Sequence, residues 1–225
     1  MVQLVIGNKN YSSWSLRPWA LLTELGLPFE ERLVPFGSTD FRALSPSGRV
    51  PVLVDGPLTV WDSLAITEYL GERHPQVWPA DRAARAWARS AAAEMHSGLG
   101  DLRQACSMSC GLRVRLRERS SGLEADLRRL QALWTEGLAR HGGPFLAGAA
   151  FTAVDAFFCP VAFRVQTYQL ELAPEPAAYA RRLLGLASMR AWYAAALQER
   201  FRDLPHDAEV AAAGTVLEDL RAPPA

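Results

Sequence analysis

Two short segments carry side chains whose types and spacing suit chemistry. In Arg49–Val50–Pro51 a proline follows a β-branched residue at the head of the apolar run that ends at Val54, and Asp62–Ser63 stands just before the stretch Leu64 to Glu72. Asp55–Gly56 between two β-branched runs is a hairpin signal, because glycine accepts the positive φ of a tight turn. Pro51 lacks a ladder donor and belongs at a strand start or edge. Val50–Pro51 is also a candidate cis bond, since in X-Pro the cis form costs only about 0.5–1 kcal/mol. Asp62 and Ser63 fall where the first N–H groups of a helix point outward. A carboxylate, a hydroxyl and a free backbone edge at one place suit a peptide-like ligand with an ammonium and carboxylates. The competing reading is that Asp62–Ser63 only caps its helix.

The elements that position these residues follow from periodicity. Gln3 to Ile6 reads as a strand. Ser12 to Ser15 leads into a helix carrying Leu16, Trp19, Leu22 and Leu25, which Gly26 ends. Phe29 to Val34 reads as an edge strand, 37–48 as irregular with one weak helical turn, and the hairpin and its helix follow. Strand, helix, strand, hairpin, helix is an α/β order. His74 to Pro79 reads as a linker with Trp78 as a buried anchor. Beyond it Ala, Leu and Arg dominate, and the remainder reads as helical. Asp81 to Arg103 is expected as one long helix bent at Gly98 and Gly100, with 106–121 open between strand and helix. Leu123 to Ala139 is amphipathic. Thr152 and Asp155 form a capping box before a helix, 153–167, that is apolar nearly all round and contains Pro160. Met189 to Gln198 is expected as the last helix.

At 225 residues with 49% hydrophobic and 21% charged side chains, the chain has the composition of an ordinary soluble protein of one large or two small domains. Its 24 basic and 24 acidic side chains cancel, which gives nucleic acid or an anionic membrane no electrostatic hold. Cys106, Cys110 and Cys159 are odd in number and lack a framework spacing, so a reducing, cytoplasmic setting is expected. No apolar run has the length of a signal peptide or membrane span. The four histidines lack ligand spacing, so no metal site is expected.

Taken together, Tyr11–Ser12–Ser13–Trp14–Ser15–Leu16–Arg17, Arg49–Val50–Pro51, Asp62–Ser63 and the Thr152/Asp155 box resemble the cytosolic glutathione S-transferases over roughly residues 2 to 200. The resemblance implies an α/β thioredoxin-like N-terminal domain, 1–76, and an all-α helical-bundle C-terminal domain, 77–225. It implies glutathione as co-substrate, a small hydrophobic electrophile as second substrate, and a homodimer. The active-site loop resembles the serine-type zeta and tau classes, in which a serine five residues before an arginine hydrogen-bonds the glutathione sulfur; here that is Ser12. Ser13 and Ser15 are close enough to replace it, Tyr11 is a further hydroxyl, and any of the serines also suits a helix cap. The zeta class carries cysteine where this chain has Trp14, which weakens a specific maleylacetoacetate isomerase reading. By resemblance, Val50 offers its backbone to the cysteinyl part, Asp62 and Ser63 take the γ-glutamyl end, and Arg49 approaches the glycyl end. Tyr11, Trp14, Met95, His96, Phe163 and Tyr168 are the implied candidates for the electrophile pocket. The implied reaction is attack of the activated thiol on a soft electrophile, in the manner of a detoxification enzyme. Glutathione-dependent isomerisation and a non-catalytic interaction protein are the alternatives.

Overall fold

A computed structural model describes residues 1–38 and 41–224. Thr39, Asp40 and Ala225, which belong to the expected irregular loop and the expected frayed tail, lie outside the described residues. The N-terminal half contains β1 (Val2–Ile6), α1 (Ser13–Glu24), β2 (Phe29–Leu33), β3 (Val52–Asp55), β4 (Leu58–Trp61) and α2 (Ser63–Arg73). The strands form one sheet in the order β2-β1-β3-β4, with β2 parallel to β1 and the other pairs antiparallel. This is the thioredoxin-like arrangement. Alternation along β1 and β3 explains its two faces. Leu4, Ile6 and Leu53 join the main core with α1, while Val5 and Val52 pack with Val34 on the other face. The Val50–Pro51 bond is cis, and Trp78 is buried.

The C-terminal half contains α3 (Arg82–Ser97), α4 (Gly100–Ala105), β5 (Leu112–Leu116), α5 (Ser121–His141), α6 (Ala153–Tyr168), α7 (Pro174–Leu184), α8 (Ala187–Gln198), α9 (Leu204–Ala213) and β6 (Gly214–Asp219). α6 is its central element, and nearly every side chain on it is buried. The capping box forms in both directions. Asp155 also accepts the Leu146 N–H at 3.0 Å and the Tyr179 hydroxyl at 2.8 Å. Burial nevertheless pushes its carboxyl up to about 6, against the hydrogen bonds that favour the anion. Phe151 packs edge-on against Phe145, with centroids 5.7 Å apart.

Three expectations need correction. The helix expected over 81–103 is two helices, not one bent helix. The first helix ends at Gly98, whose N–H bonds the Glu94 carbonyl and whose backbone turns extended, and Leu99 then takes φ 51°. The helical domain is not exclusively helical: β5 and β6 pair antiparallel, with Leu112 opposite Asp219 and Leu116 opposite Gly214. The alternation of Leu112, Val114 and Leu116 was therefore a true strand signal, whose partner lies a hundred residues on in the mostly exposed β6. A Cβ at Gly214 would lie 2.2 Å from the Arg115 carbonyl, so only glycine permits this approach. Nor is the helix ending at Gln198 the last. α9 follows, capped by Asp203 with Pro205 in its first turn.

Candidate active site

The loop between β1 and α1 is clamped from both sides. The Glu199 carboxylate accepts the N–H groups of Lys9 at 2.7 Å and Asn10 at 3.1 Å. The Trp192 indole donates to the Lys9 carbonyl at 2.8 Å. Lys9 itself bonds Glu31 at 2.8 Å and lies over the Trp19 and Trp192 rings. With its start held, α1 presents its serines at a fixed height. Ser12 is the N-cap: its Oγ accepts the Ser15 N–H at a long 3.4 Å and donates to Ser15 Oγ at 2.7 Å. Ser15 Oγ also accepts the Gly7 N–H, so it ties α1 to the strand and is a structural group. Ser13 Oγ accepts from Arg164 Nη2 at 3.4 Å.

Two guanidiniums are buried here, and among the described residues no carboxylate is bonded to either. Arg164, on α6, donates its Nε–H to the Cys106 carbonyl at 2.7 Å. Arg17 lies 4.2 Å from the Trp14 ring centre and 4.8 Å from that of Phe157, and approaches His96 Nδ1 at 3.4 Å. Its Nε–H has no partner among the described residues. Burial, then the neighbouring Arg164 and Arg103, lower Arg17 to about 9. Burial likewise lowers Arg164 to about 10. Such groups are expensive to bury alone and are relieved by an arriving anion. The α1 N-terminus adds its own positive end. The first thing this arrangement can do is hold a negative charge.

Across from it, Asp62 takes φ 75° and caps α2 through Oδ1, which accepts the Leu64 N–H at 2.8 Å. Its Oδ2 lies 3.5 Å from His96 Nε2, so His96 stands between Arg17 and Asp62. Burial lowers His96, an effect that Asp62 partly opposes and Arg17 reinforces. The Ser63 hydroxyl is buried and without a hydrogen-bond partner among the described residues. A buried polar atom in that state calls for a ligand atom or a water.

Two cavities join these parts. One, of about 410 Å³, is lined by Tyr11, Ser12, Ser13, Trp14, Arg49 and Val50 among others, the other, of about 390 Å³, by Pro51, Asp62, Ser63 and His96, and Trp14, Arg49 and Val50 border both. The sites expected from Tyr11–Arg17, Arg49–Pro51 and Asp62–Ser63 thus meet in one cleft. The Tyr11 hydroxyl is already engaged. It donates to Asp207 at 3.1 Å and accepts from Arg221 at 3.0 Å, and burial pushes it above the usual phenol range.

Three expected pocket residues lie elsewhere. Met95 is wholly buried in the core. Phe163 stacks on Tyr193, with centroids 5.9 Å apart. Tyr168 spends its hydroxyl on the Ser107 carbonyl at 2.8 Å. All three sit on the inward faces of α3 and α6, where apolar side chains serve packing. Arg103, Phe36 and His206 line the first cavity instead. For His206 the sequence did carry a signal, the helix start Asp203–Leu204–Pro205. Cys106, Cys110 and Cys159 are free and buried, and burial raises all three thiols, Cys106 to about 12. Among the described residues, no cluster of three His, Cys, Asp or Glu side chains is placed to hold a metal.

Residues 11–73, the segment that contains the whole cleft edge from Tyr11 to Ser63, match the profile of the family described as glutathione S-transferase, N-terminal domain. Residues 11–73 are thus those of a glutathione S-transferase N-terminal domain. Among curated relatives, a probable maleylacetoacetate isomerase of Caenorhabditis elegans is 27% identical over 183 residues, covering 74% of this chain and 82% of that one. A dichloromethane dehalogenase of Methylorubrum extorquens is 47% identical, but over 57 residues, or 22% of this chain and 19% of that protein. Among solved structures, a glutathione transferase homologue from Burkholderia with bound glutathione superposes with TM-score 0.66 at 24% identity, covering 87% of this chain and 97% of that one. A tau-class glutathione S-transferase from mango superposes with TM-score 0.67 at 20% identity, covering 85% and 92%.

Proposed function

We propose that this chain is a glutathione-dependent enzyme that ionises the glutathione thiol and directs it at a soft electrophile. The observation that carries the reading is the pair of buried guanidiniums, Arg17 and Arg164, beside the serines at the start of α1, with no carboxylate among the described residues bonded to either. A free thiol near pKa 8.5 is only a few per cent thiolate at neutral pH, and the thiolate is the nucleophile. Positive charge and a hydroxyl donor both favour the anion. Ser12 is the proposed donor. To serve, it gives up its bond to Ser15, worth about 1 kcal/mol as a neutral hydrogen bond, for one to an anion worth about 1.5–3 kcal/mol. Ser13, already bonded to Arg164, steadies that guanidinium. The tripeptide backbone then lies along Val50, with its γ-glutamyl end at Asp62 and Ser63 and its glycyl end toward Arg49.

Ser12→Ala is expected to lower kcat/KM with glutathione about 10–100-fold, from the loss of one charge-assisted hydrogen bond. A loss confined to Ser13→Ala would move the role to Ser13. Ser63→Ala separates binding from folding. It removes an unpaired buried hydroxyl, so thermal stability holds or rises, while the KM for glutathione increases about tenfold as one ligand hydrogen bond is lost. A destabilised Ser63→Ala with unchanged KM would make Ser63 a packing residue only.

A second reading, maleylacetoacetate isomerase-like turnover in which glutathione is regenerated, draws on one specific feature. Arg103 and Arg164 line the first cavity with no acidic residue among its described lining residues, which favours a carboxylate-bearing second substrate over a purely hydrophobic one. Comparing product with glutathione consumed separates the two: conjugation uses one glutathione per turnover and isomerisation none. Dimerisation is proposed from the family resemblance alone, and gel filtration with light scattering tests it.

A further inference from the structure

His206 is held as a proton-transfer group is held. It lies in the first turn of α9, its ring stacked between Tyr11 and Phe36 with centroid distances of 5.3 and 5.4 Å. Nδ1 is 2.5 Å from Asp203 Oδ2. With a carboxylate as acceptor, Nδ1 carries a hydrogen and Nε2 is the nitrogen left to act. Nε2 has no partner among the described residues, and the residue lines the cavity that Ser12 and Ser13 also line. α9 is fixed in place by Arg221, which bonds Asp207 at 2.7 Å and the Tyr11 hydroxyl at 3.0 Å. An imidazole gripped on both faces, pinned at one nitrogen and open at the other meets the geometric requirement for an acid or base oriented by a third group.

Among the described residues that line the first cavity, His206 is the one imidazole and none is a carboxylate; His96 borders only the second cavity, against Asp62. The arginines and serines of the first cavity stabilise an anion, but neither type delivers a proton at neutral pH. Substitution at an aryl halide needs none, because the halide leaves with its electron pair. Addition to an α,β-unsaturated carbonyl does need one. As the sulfur bonds the β-carbon, the C=C pair shifts and leaves an enolate that must be protonated at the α-carbon. We propose that His206 supplies that proton. The Nε2–H bond breaks, its hydrogen joins the α-carbon through the enolate pair, and the imidazole is left neutral, to be reprotonated from water. The net change is addition of glutathione's S–H across the double bond. Asp203 is the positioning residue, and it balances the imidazolium charge. Tyr11, whose hydroxyl bonds Asp207 and Arg221, stacks on the ring, and Arg49, Arg103 and Arg164 are the other charged groups lining the cavity.

This proposal rests on the glutathione reading above and concerns which electrophiles that site serves. Its test measures kcat for two electrophiles with glutathione, an acyclic enone and a chlorodinitrobenzene. In His206→Gln the ratio of addition to substitution is expected to fall at least tenfold, the lower range of general acid catalysis being about 100-fold. Asp203→Asn, which keeps a helix cap, shifts the ratio the same way but less. Free imidazole added to His206→Ala restores addition selectively, since a small ring fits the gap between Tyr11 and Phe36. An unchanged ratio in His206→Gln, or equal loss with both electrophiles and no imidazole rescue, makes His206 a wall residue and overturns the proposal. Turnover of neither electrophile by the wild type rejects the glutathione reading itself, and the role of His206 with it.

Discussion

Asp155→Ala is expected to lower the unfolding free energy by about 4 kcal/mol and the melting temperature by about 10 °C. The Asp155 carboxylate accepts from the N–H groups of Leu146 and Thr152 at 3.0 Å each, and from the Tyr179 hydroxyl at 2.8 Å. Removing it strands those three buried donors at about 1–3 kcal/mol each, less what relaxation recovers. Because α6 also carries Arg164, the loss reaches the cleft. The pH dependence has a definite sign. The folded-state pKa, about 6, lies above the ordinary 3.8, so between these values the native state binds more protons than the unfolded chain. This group's contribution is therefore greatest below the ordinary value and is lost as pH rises toward 6. Asp155→Asn should abolish that slope. Denaturant midpoints measured across pH 4–7 check both statements, and a variant that melts with the wild type would contradict them.

Arg17→Met is expected to do the opposite to stability while removing function. Arg17 is buried, its Nε–H is unpaired, and its listless surroundings of Trp14 and Phe157 accept a thioether as readily as a guanidinium. Replacing buried ions by apolar groups of similar volume is often stabilising by about 1–4 kcal/mol. The variant should therefore resist urea better than the wild type in the absence of glutathione. Its turnover should fall about tenfold or more, because the sulfur anion loses one nearby charge. A less stable Arg17→Met would mean that the contacts to His96 and the two rings outweigh the cost of burial.

Much of this was legible beforehand, for physical reasons that can be named. The thioredoxin-like half is written in local signals: alternation in β1 and β3, Asp55–Gly56 at a turn, and Pro51 where no ladder donor is needed. Asp62 and Ser63 could be placed because a helix N-terminus has few chemical options. The Thr152/Asp155 box was equally local. What the sequence hid was long-range. β6 lies a hundred residues from β5 and is mostly exposed, so neither strand announces its partner. Met95, Phe163 and Tyr168 were assigned to the pocket by neighbourhood alone, and the inward faces of α3 and α6 took them into the core. The bonding of Ser12 to Ser15 and of Ser13 to Arg164 depends on side-chain geometry that spacing does not encode. Arg17 and Arg164 are far apart in sequence, and only the packing of α1 against α6 makes them one cationic floor.

The sharpest measurement is a pH titration of thiolate absorbance for glutathione bound to the wild type, Ser12→Ala and Arg17→Met. The wild type should ionise the bound thiol about two pH units below the free value near 8.5, with both variants shifted back toward that value. A bound thiol that titrates with free glutathione, alike in all three proteins, would contradict a cleft built to hold sulfur as an anion.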